Sequence, residues 1–310
     1  MRSARTAWRL AVVGVIAMIA VPGANARAAF PGANGLIAYQ DESIAGDHTQ
    51  SDVFVVMPNG SGAHRLTNTP DKNEFGPAWN PAGKRIAFWR TNAPFGPGTL
   101  WVMYADGSHQ RRLTQGIDAR DPAWNPGGDR LVYTQFNAGS FDLFSLRVSD
   151  GDARRHLTSG PAQDFEAAWS PTGRFIAFTR GFDTGDAGDI YLLDLKQHKV
   201  TQLTDSAGYD HQVAWSPDGA RVVFERDFNR HNQICAVNRD GTGFGVLAGG
   251  PHFDIGPAYS PDGTKIAFGS DRSTDSPFHD IWVMNADGSN KHRLVEQPDA
   301  ADGFPDWQPV

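Results

Sequence analysis

The side chains with chemistry to offer recur at fixed places. Five residues ahead of each of six spaced aromatics (Trp79, Trp124, Trp169, Trp215, Tyr259 and Trp307) stand Glu74, Ala119, Asp164, Asp210, Asp254 and Asp302, a carboxylate in five cases of six. In the remaining case Asp118 and Asp121 lie close by. Carboxylates gathered by a repeat form a negative funnel that draws in cations or Lys- and Arg-bearing partners, and their oxygens suit Ca²⁺. A plainer reading gives each acid an arginine. Counting across a hairpin with Asn80 opposite Arg85 puts Arg90 opposite Phe75 and so beside Glu74, and the same count sets Arg180 beside Asp164 and Arg226 beside Asp210. A partly exposed pair of that kind contributes roughly 0 to 1 kcal/mol, a modest structural role.

Histidines are the second set. His211 and His252 precede the aromatics Trp215 and Tyr259, and His231 and His279 fall in the connecting segments of the same two repeats, close in sequence to Asp210, Asp254 and Asp280. Together they would supply a mixed nitrogen and oxygen site of the kind that suits Zn. No pair has a recognised ligand spacing, and solvated loop histidines are the alternative. The chain has no G-x-S-x-G elbow, H-E-x-x-H, P-loop or strand-linked G-x-G-x-x-G, so no motif for nucleophilic, metalloprotease or nucleotide chemistry is present. No cofactor is called for by a motif. Phe182 and Phe228, in long connecting segments, are natural anchors for a partner.

A repeated hairpin must position these groups. Residues 213–226, V-A-W-S-P-D-G-A-R-V-V-F-E-R, read as two short strands around a turn in which Pro217 presets φ and Gly219 accepts a left-handed conformation. Copies occur at residues 77–88, 122–133, 167–178 and 257–268, and the turn prolines Pro81, Pro126, Pro171, Pro217 and Pro261 are 45, 45, 46 and 44 residues apart. That is the period of four-stranded propeller blades. A third strand recurs six times, at residues 52–57, 99–103, 142–146, 189–193, 233–237 and 280–284, mostly followed by a D-G or N-G turn into a fourth. Residues 34–39 match a return strand that lacks its first strand, and residues 304–309 supply a first strand that lacks a return. The spacing therefore predicts an all-β, six-bladed β-propeller of four-stranded blades, closed by pairing of the N- and C-terminal strands, which removes the open edges of an array. The tight turns define one face. Residues 40–51, 89–98, 179–188, 225–232 and 269–279 are expected to be long polar loops on the other, the usual layout of a binding face.

The W-S-P-D-G-x-x-I-A-F and D-I-W-V-M-N-A-D-G patterns resemble the propeller repeat of the TolB family, over essentially all of the chain after its first residues. The resemblance implies a propeller that serves as a periplasmic protein-binding platform. The α/β domain that precedes the ring in TolB has no counterpart here, since Tyr39 already falls in a blade.

Arg2, Arg5 and Arg9 precede an apolar run of 12 residues, 10–21, and two A-x-A sites at residues 24–26 and 26–28. This predicts a secretory signal peptide over residues 1–28 and a propeller over 29–310; a span would need about 20 apolar residues. Cleavage after Ala28 removes four arginines and no acid, taking the formal charge from −7 to −11. An acidic chain argues against nucleic acid and anionic membrane surfaces as partners. The single Cys235 has no intramolecular partner and reads as a buried thiol. These observations lead to an exported, monomeric, non-catalytic propeller, periplasmic or secreted, that binds a protein or peptide. The alternative is a metal-dependent hydrolase or lyase acting on an extracellular saccharide or lactone through the histidine sector.

Overall fold

A computed structural model of the protein describes residues 27–45, 48–92, 96–181, 188–273, 278–296 and 300–310. The local chemistry of each hairpin turn is visible at once. Asn80 Oδ1 accepts the N–H groups of Lys84 and Arg85, both at 2.8 Å, and Ser216 and Ser260 Oγ accept those of Arg221 and Lys265 at 2.9 Å. Asn or Ser ahead of the turn proline thus closes the loop by a side-chain bond. The glycine after it, Gly219 at φ 67° for example, is left-handed as the turn requires.

These hairpins build six four-stranded antiparallel blades. Blade two, from the axis outward, is Asn73–Trp79, Arg85–Thr91, Thr99–Tyr104 and Arg111–Arg112. The inner strands Ala300–Pro309, Asn73–Trp79, Ala119–Trp124, Gln163–Trp169, Tyr209–Trp215 and Asp254–Tyr259 touch in succession around the axis. Blade one is closed as expected: Ala300–Pro309 pairs with Asn34–Ala45, placing Ile37 opposite Trp307 and Asp41 opposite Asp302. Gln308 accepts the Leu36 N–H within this blade at 2.9 Å and ties it to blade two by donating to the Gly83 carbonyl at 2.7 Å.

Aromatic residues fill the space between blades. Trp79, Trp124, Trp169, Trp215, Tyr259 and Trp307 are all buried, as are the return-strand aromatics Tyr39, Phe88, Tyr133, Phe178, Phe224 and Phe268. The Trp124 and Trp215 indoles donate to the Ala78 and Ala168 carbonyls of the preceding inner strands at 3.0 and 3.1 Å, so the repeated aromatic is a bolt between blades as well as filling. Cys235 is buried, and burial pushes its thiol up to about 12. Among the described residues no helix is long and apolar enough to cross a membrane.

Two expectations are corrected. Residues 40–51 are largely strand: Asn34–Ala45 pairs with His48–Val56 on one side and, as far as Ser43, with Ala300–Pro309 on the other. Residues 225–232 are likewise paired, and Arg221–Phe228 meets His231–Asn238 through a two-residue turn at Asn229 and Arg230, both left-handed. Such a turn matches the twist of the strands it joins. The expected signal peptide lies outside the described residues except for Arg27–Ala28, a short strand parallel to Ala214 and Trp215 that also touches the inner strands of blades three and four. Ala29 and Phe30 follow, both buried.

Candidate functional site at the channel mouth

Each inner strand carries one extra residue at the same point, three before its aromatic, where the pairing with the return strand slips by one. The inserted residues are Gly76, Asp121, Glu166, Gln212, Gly256 and Phe304, all left-handed with φ between 52° and 57°. These are β-bulges, which turn a strand and re-aim its side chains. At Gly76, Glu166, Gln212 and Gly256 the amide left over is taken up across the blade boundary: Gln212 N–H donates to Glu166 Oε2 at 2.8 Å and Gly256 N–H to Glu225 Oε2 at 3.0 Å.

The slip corrects the count across the hairpin. Arg90 stands directly opposite Glu74, Arg180 opposite Asp164 and Arg226 opposite Asp210. Arg90 Nε meets Glu74 Oε1 at 2.6 Å; Arg180 grips Asp164 with two bonds of 2.7 and 2.9 Å, and Arg226 grips Asp210 with two of 2.6 and 2.8 Å. Asp254 is held by Arg272 and Ser270, each at 2.6 Å, a partner that counting from the turn does not find. The guanidiniums are backed by rings, with Arg90 4.2 Å from the centre of Trp101 and Arg226 4.6 Å from that of Phe244. Four acids of the ring therefore reach the mouth already paired. Burial still outweighs Arg90 at Glu74 and pushes its carboxyl up to about 7.

Asp302 is different. Its cross-strand partner is Asp41, so an acid stands where three other blades place an arginine. Both are buried, and burial, then their mutual repulsion, holds Asp302 well above the carboxylate range. Blade three, which lacks a ring acid, has the Asp118–Arg120 pair at 2.8 Å and the bulge residue Asp121, whose carboxyl burial pushes up to about 8.

The densest polar cluster lies in blades four and five. His211 stands directly opposite Glu225. Its Nε2 is 3.1 Å from Asp227 Oδ1 and 3.4 Å from Glu225 Oε1, and its Nδ1 is 3.8 Å from Glu166 Oε2. Burial opposes charging of the ring, but the surrounding carboxylates prevail and hold the imidazole well above its ordinary 6.5. Among the described residues, His211, Glu225 and Asp227 are the one group of three or more His, Cys, Asp or Glu side chains whose ligand atoms lie within 4.8 Å of one another.

The other predicted histidines do not join it. His252 Nδ1 lies 3.8 Å from Asp271, His231 packs 5.8 Å from the ring centre of Phe253, and burial lowers the His279 pKa. Asp210 and Asp254 are committed to arginines, and Asp280 is 3.4 Å from Arg293. The four-histidine set thus gives way to one histidine and two carboxylates, because the bulge and the extended ribbon bring Glu225 and Asp227 to the same sheet face as His211. Sequence reading missed Glu225, Asp227, Glu166 and Asp41, and named Asp121 without its place at the bulge. The available signal was positional, since no other repeat has an acid at the place of Glu225. Phe228 is exposed at the ribbon tip; Phe182 lies outside the described residues.

Residues 44–184 match the family described as the TolB beta propeller domain. Over those residues the chain resembles a TolB-like propeller. Over 53 residues, 17% of this chain, it is 43% identical to the Tol-Pal system protein TolB of Anaeromyxobacter dehalogenans strain 2CP-C, and that stretch spans only 11% of the relative. The crystal structure of TolB from Acinetobacter baumannii superposes with a TM-score of 0.77 at 20% identity, covering 89% of this chain and 67% of that one. A putative TolB from Agrobacterium tumefaciens gives 0.65 at 21% identity, covering 88% and 99%. At such identities the structures establish the fold, and the TolB-like ring is common ground; the His211 cluster is a feature read from this chain alone.

Proposed function

We propose that this TolB-like propeller is an exported, non-catalytic platform that holds a protein or peptide partner at the channel mouth, in the periplasm or outside the cell. The observation that carries the reading is a rigid, closed ring with aromatic side chains standing free at its mouth: Phe136 and Phe228 are 48% and 42% exposed. Phe136 continues inward through Phe141 to Phe165, with ring centres 5.1 and 5.3 Å apart, so the surface has a supported apolar base. Aromatics on such a base are the usual anchors of an interface. The likeness to a Tol-Pal system protein supports a partner of protein class in the envelope, and the acidic chain favours one bearing Lys and Arg.

A photo-crosslinking residue placed at Phe228 in the native host is expected to trap one discrete envelope protein, and the same residue at Ala82 on the turn face to trap none. Equal trapping from both positions, or none from either, would sink the reading. Phe228→Ala is expected to weaken the trapped complex about tenfold, the scale of an interface anchor. The convergence of His211, Glu225 and Asp227 favours a second reading, a metal-dependent hydrolase or lyase acting on an extracellular saccharide or lactone. Turnover of such a substrate, lost with His211→Ala, would replace the first reading.

A further inference from the structure

The His211 cluster departs from the pattern of the repeat. The cross-strand pair just before the bulge is Phe75 with Trp89 in blade two, stacked at 4.4 Å, Phe165 with Thr179 in blade four and Ile255 with Gly269 in blade six. Blade three has Arg120 with Thr134 here and blade one Gly303 with Gln40, so no other blade places a carboxylate at this point. Only blade five sets a histidine against a glutamate, and then adds Asp227 two residues further along the same strand. Two buried carboxylates, Glu166 and Glu225, and the exposed Asp227 around one imidazole leave an excess of negative charge where burial makes charge costly.

The geometry points to a site for one divalent transition-metal ion of the zinc and manganese class, bound by His211 Nε2, Glu225 Oε1 and Asp227 Oδ1. A tetrahedral ion with bonds of about 2.0 to 2.1 Å holds its ligand atoms about 3.3 Å apart; Nε2 lies 3.1 Å from Asp227 Oδ1 and 3.4 Å from Glu225 Oε1. The supports behind these atoms match those of a metal centre. His211 Nδ1 faces Glu166, the carboxylate behind the histidine that orients a ligating ring. Glu166 is itself fixed by the Gln212 amide and the Thr179 hydroxyl, at 2.8 and 3.2 Å. Glu225 keeps Oε1 for the ion because Oε2 is anchored by the Gly256 amide at 3.0 Å.

Asn232 supplies an independent sign. Its amide nitrogen donates to both Glu225 Oε1 and Asp227 Oδ1, the latter at 2.7 Å, so a positive pole already stands between the two acids. A cation there does the same work with full charge. Asp227 is 49% exposed, which gives the ion a way in and leaves its remaining positions open to water or an outside oxygen ligand. One nitrogen with two carboxylates selects a transition ion over Ca²⁺ or Mg²⁺, which take oxygen alone. This assignment stands apart from the platform reading, since either can hold without the other.

The test uses the full chain, exported and processed by its host, stripped with chelator and titrated calorimetrically with Zn²⁺ and Mn²⁺ in turn, and with Ca²⁺ for comparison. The expected result is one equivalent of Zn²⁺ or Mn²⁺ bound at least about tenfold more tightly than Ca²⁺, with a rise in melting temperature. His211→Ala is expected to weaken binding about 100-fold or more, and Asp227→Asn at least about tenfold. Asp227 is at the surface, so its variant tests the site even if His211→Ala does not fold. His252→Ala, outside the cluster, is expected to bind as the parent does. Absence of stoichiometric uptake, preference for Ca²⁺, binding undiminished in Asp227→Asn, or equal loss in His252→Ala would each overturn the assignment.

Discussion

Asp121 shows what a single side chain at the mouth implies. Its backbone is left-handed at φ 53°, its residue is 1% exposed, and burial, then the Glu166 charge, raises its pKa from 3.8 to about 8. An acid whose folded pKa lies above its unfolded value binds an extra proton in the folded state between the two. Its charge therefore costs stability progressively as pH rises from 3.8 to about 8. Asparagine keeps the shape and tolerates the left-handed conformation. Urea melts of Asp121→Asn are expected to match the parent near pH 4 and exceed it at pH 8; identical pH slopes would show that this carboxyl is not the group responsible. Asp302 supports a second prediction. Blades two, four and five give the ring acid an arginine, whereas blade one gives it Asp41. Asp41→Arg restores the repeat's own pairing and is expected to raise stability at pH 8 by about 1.5 to 3 kcal/mol, the scale of a charge-assisted bond, measured by urea unfolding. Sequence alone placed the ring acids and three of their arginines, but one register step out. Gly76 and Gly256 mark the bulge in two blades as left-handed residues would, and Asp121, Glu166, Gln212 and Phe304 conceal it in the other four.

At the scale of the element, the turns were legible because their causes are local. Asn80 or Ser216, a proline and a left-handed glycine specify the hairpin within a few residues, whatever the ring does. Asn80→Ala removes the acceptor of two amides and is expected to cost about 1 to 2 kcal/mol in urea unfolding. The outer ends of the strands were not legible. Residues 40–51 and 225–232 are polar and lack the alternation of a half-buried strand, so they read as loops. They are strands because residues 40–43 and 225–227 keep pairing with the inner strand and each hairpin pairs with itself a little further still, which backbone bonding drives without an apolar face. That continuation carries Asp227 and Phe228 to the mouth and sets Glu225 opposite His211, so the error about an element was also the error about the site.

At the scale of the molecule, the ring was legible from a period of about 45 residues and from two half-repeats at the ends of the chain. Deleting residues 300–310 is expected to do more than remove one strand. It exposes the pairing edge of Asn34–Ala45, takes Trp307 from the core and removes the Asp306 carboxylate that accepts the Trp79 amide at 2.6 Å. Calorimetry of the truncated chain is expected to show loss of the single cooperative transition, and gel filtration to show self-association through the bared edge. Survival of a sharp transition would show that five blades hold their curvature unaided.

The closure strand also sets an order of events. Ala300–Pro309 leaves the ribosome after every other described strand, yet its partner Asn34–Ala45 is among the earliest made. Five blades can assemble from neighbouring segments as they emerge, while blade one must wait for residues 300–309. Completion of the ring is thus timed by delivery of the last strand. The one contact that locks the circle is therefore the last of the described pairings to become possible.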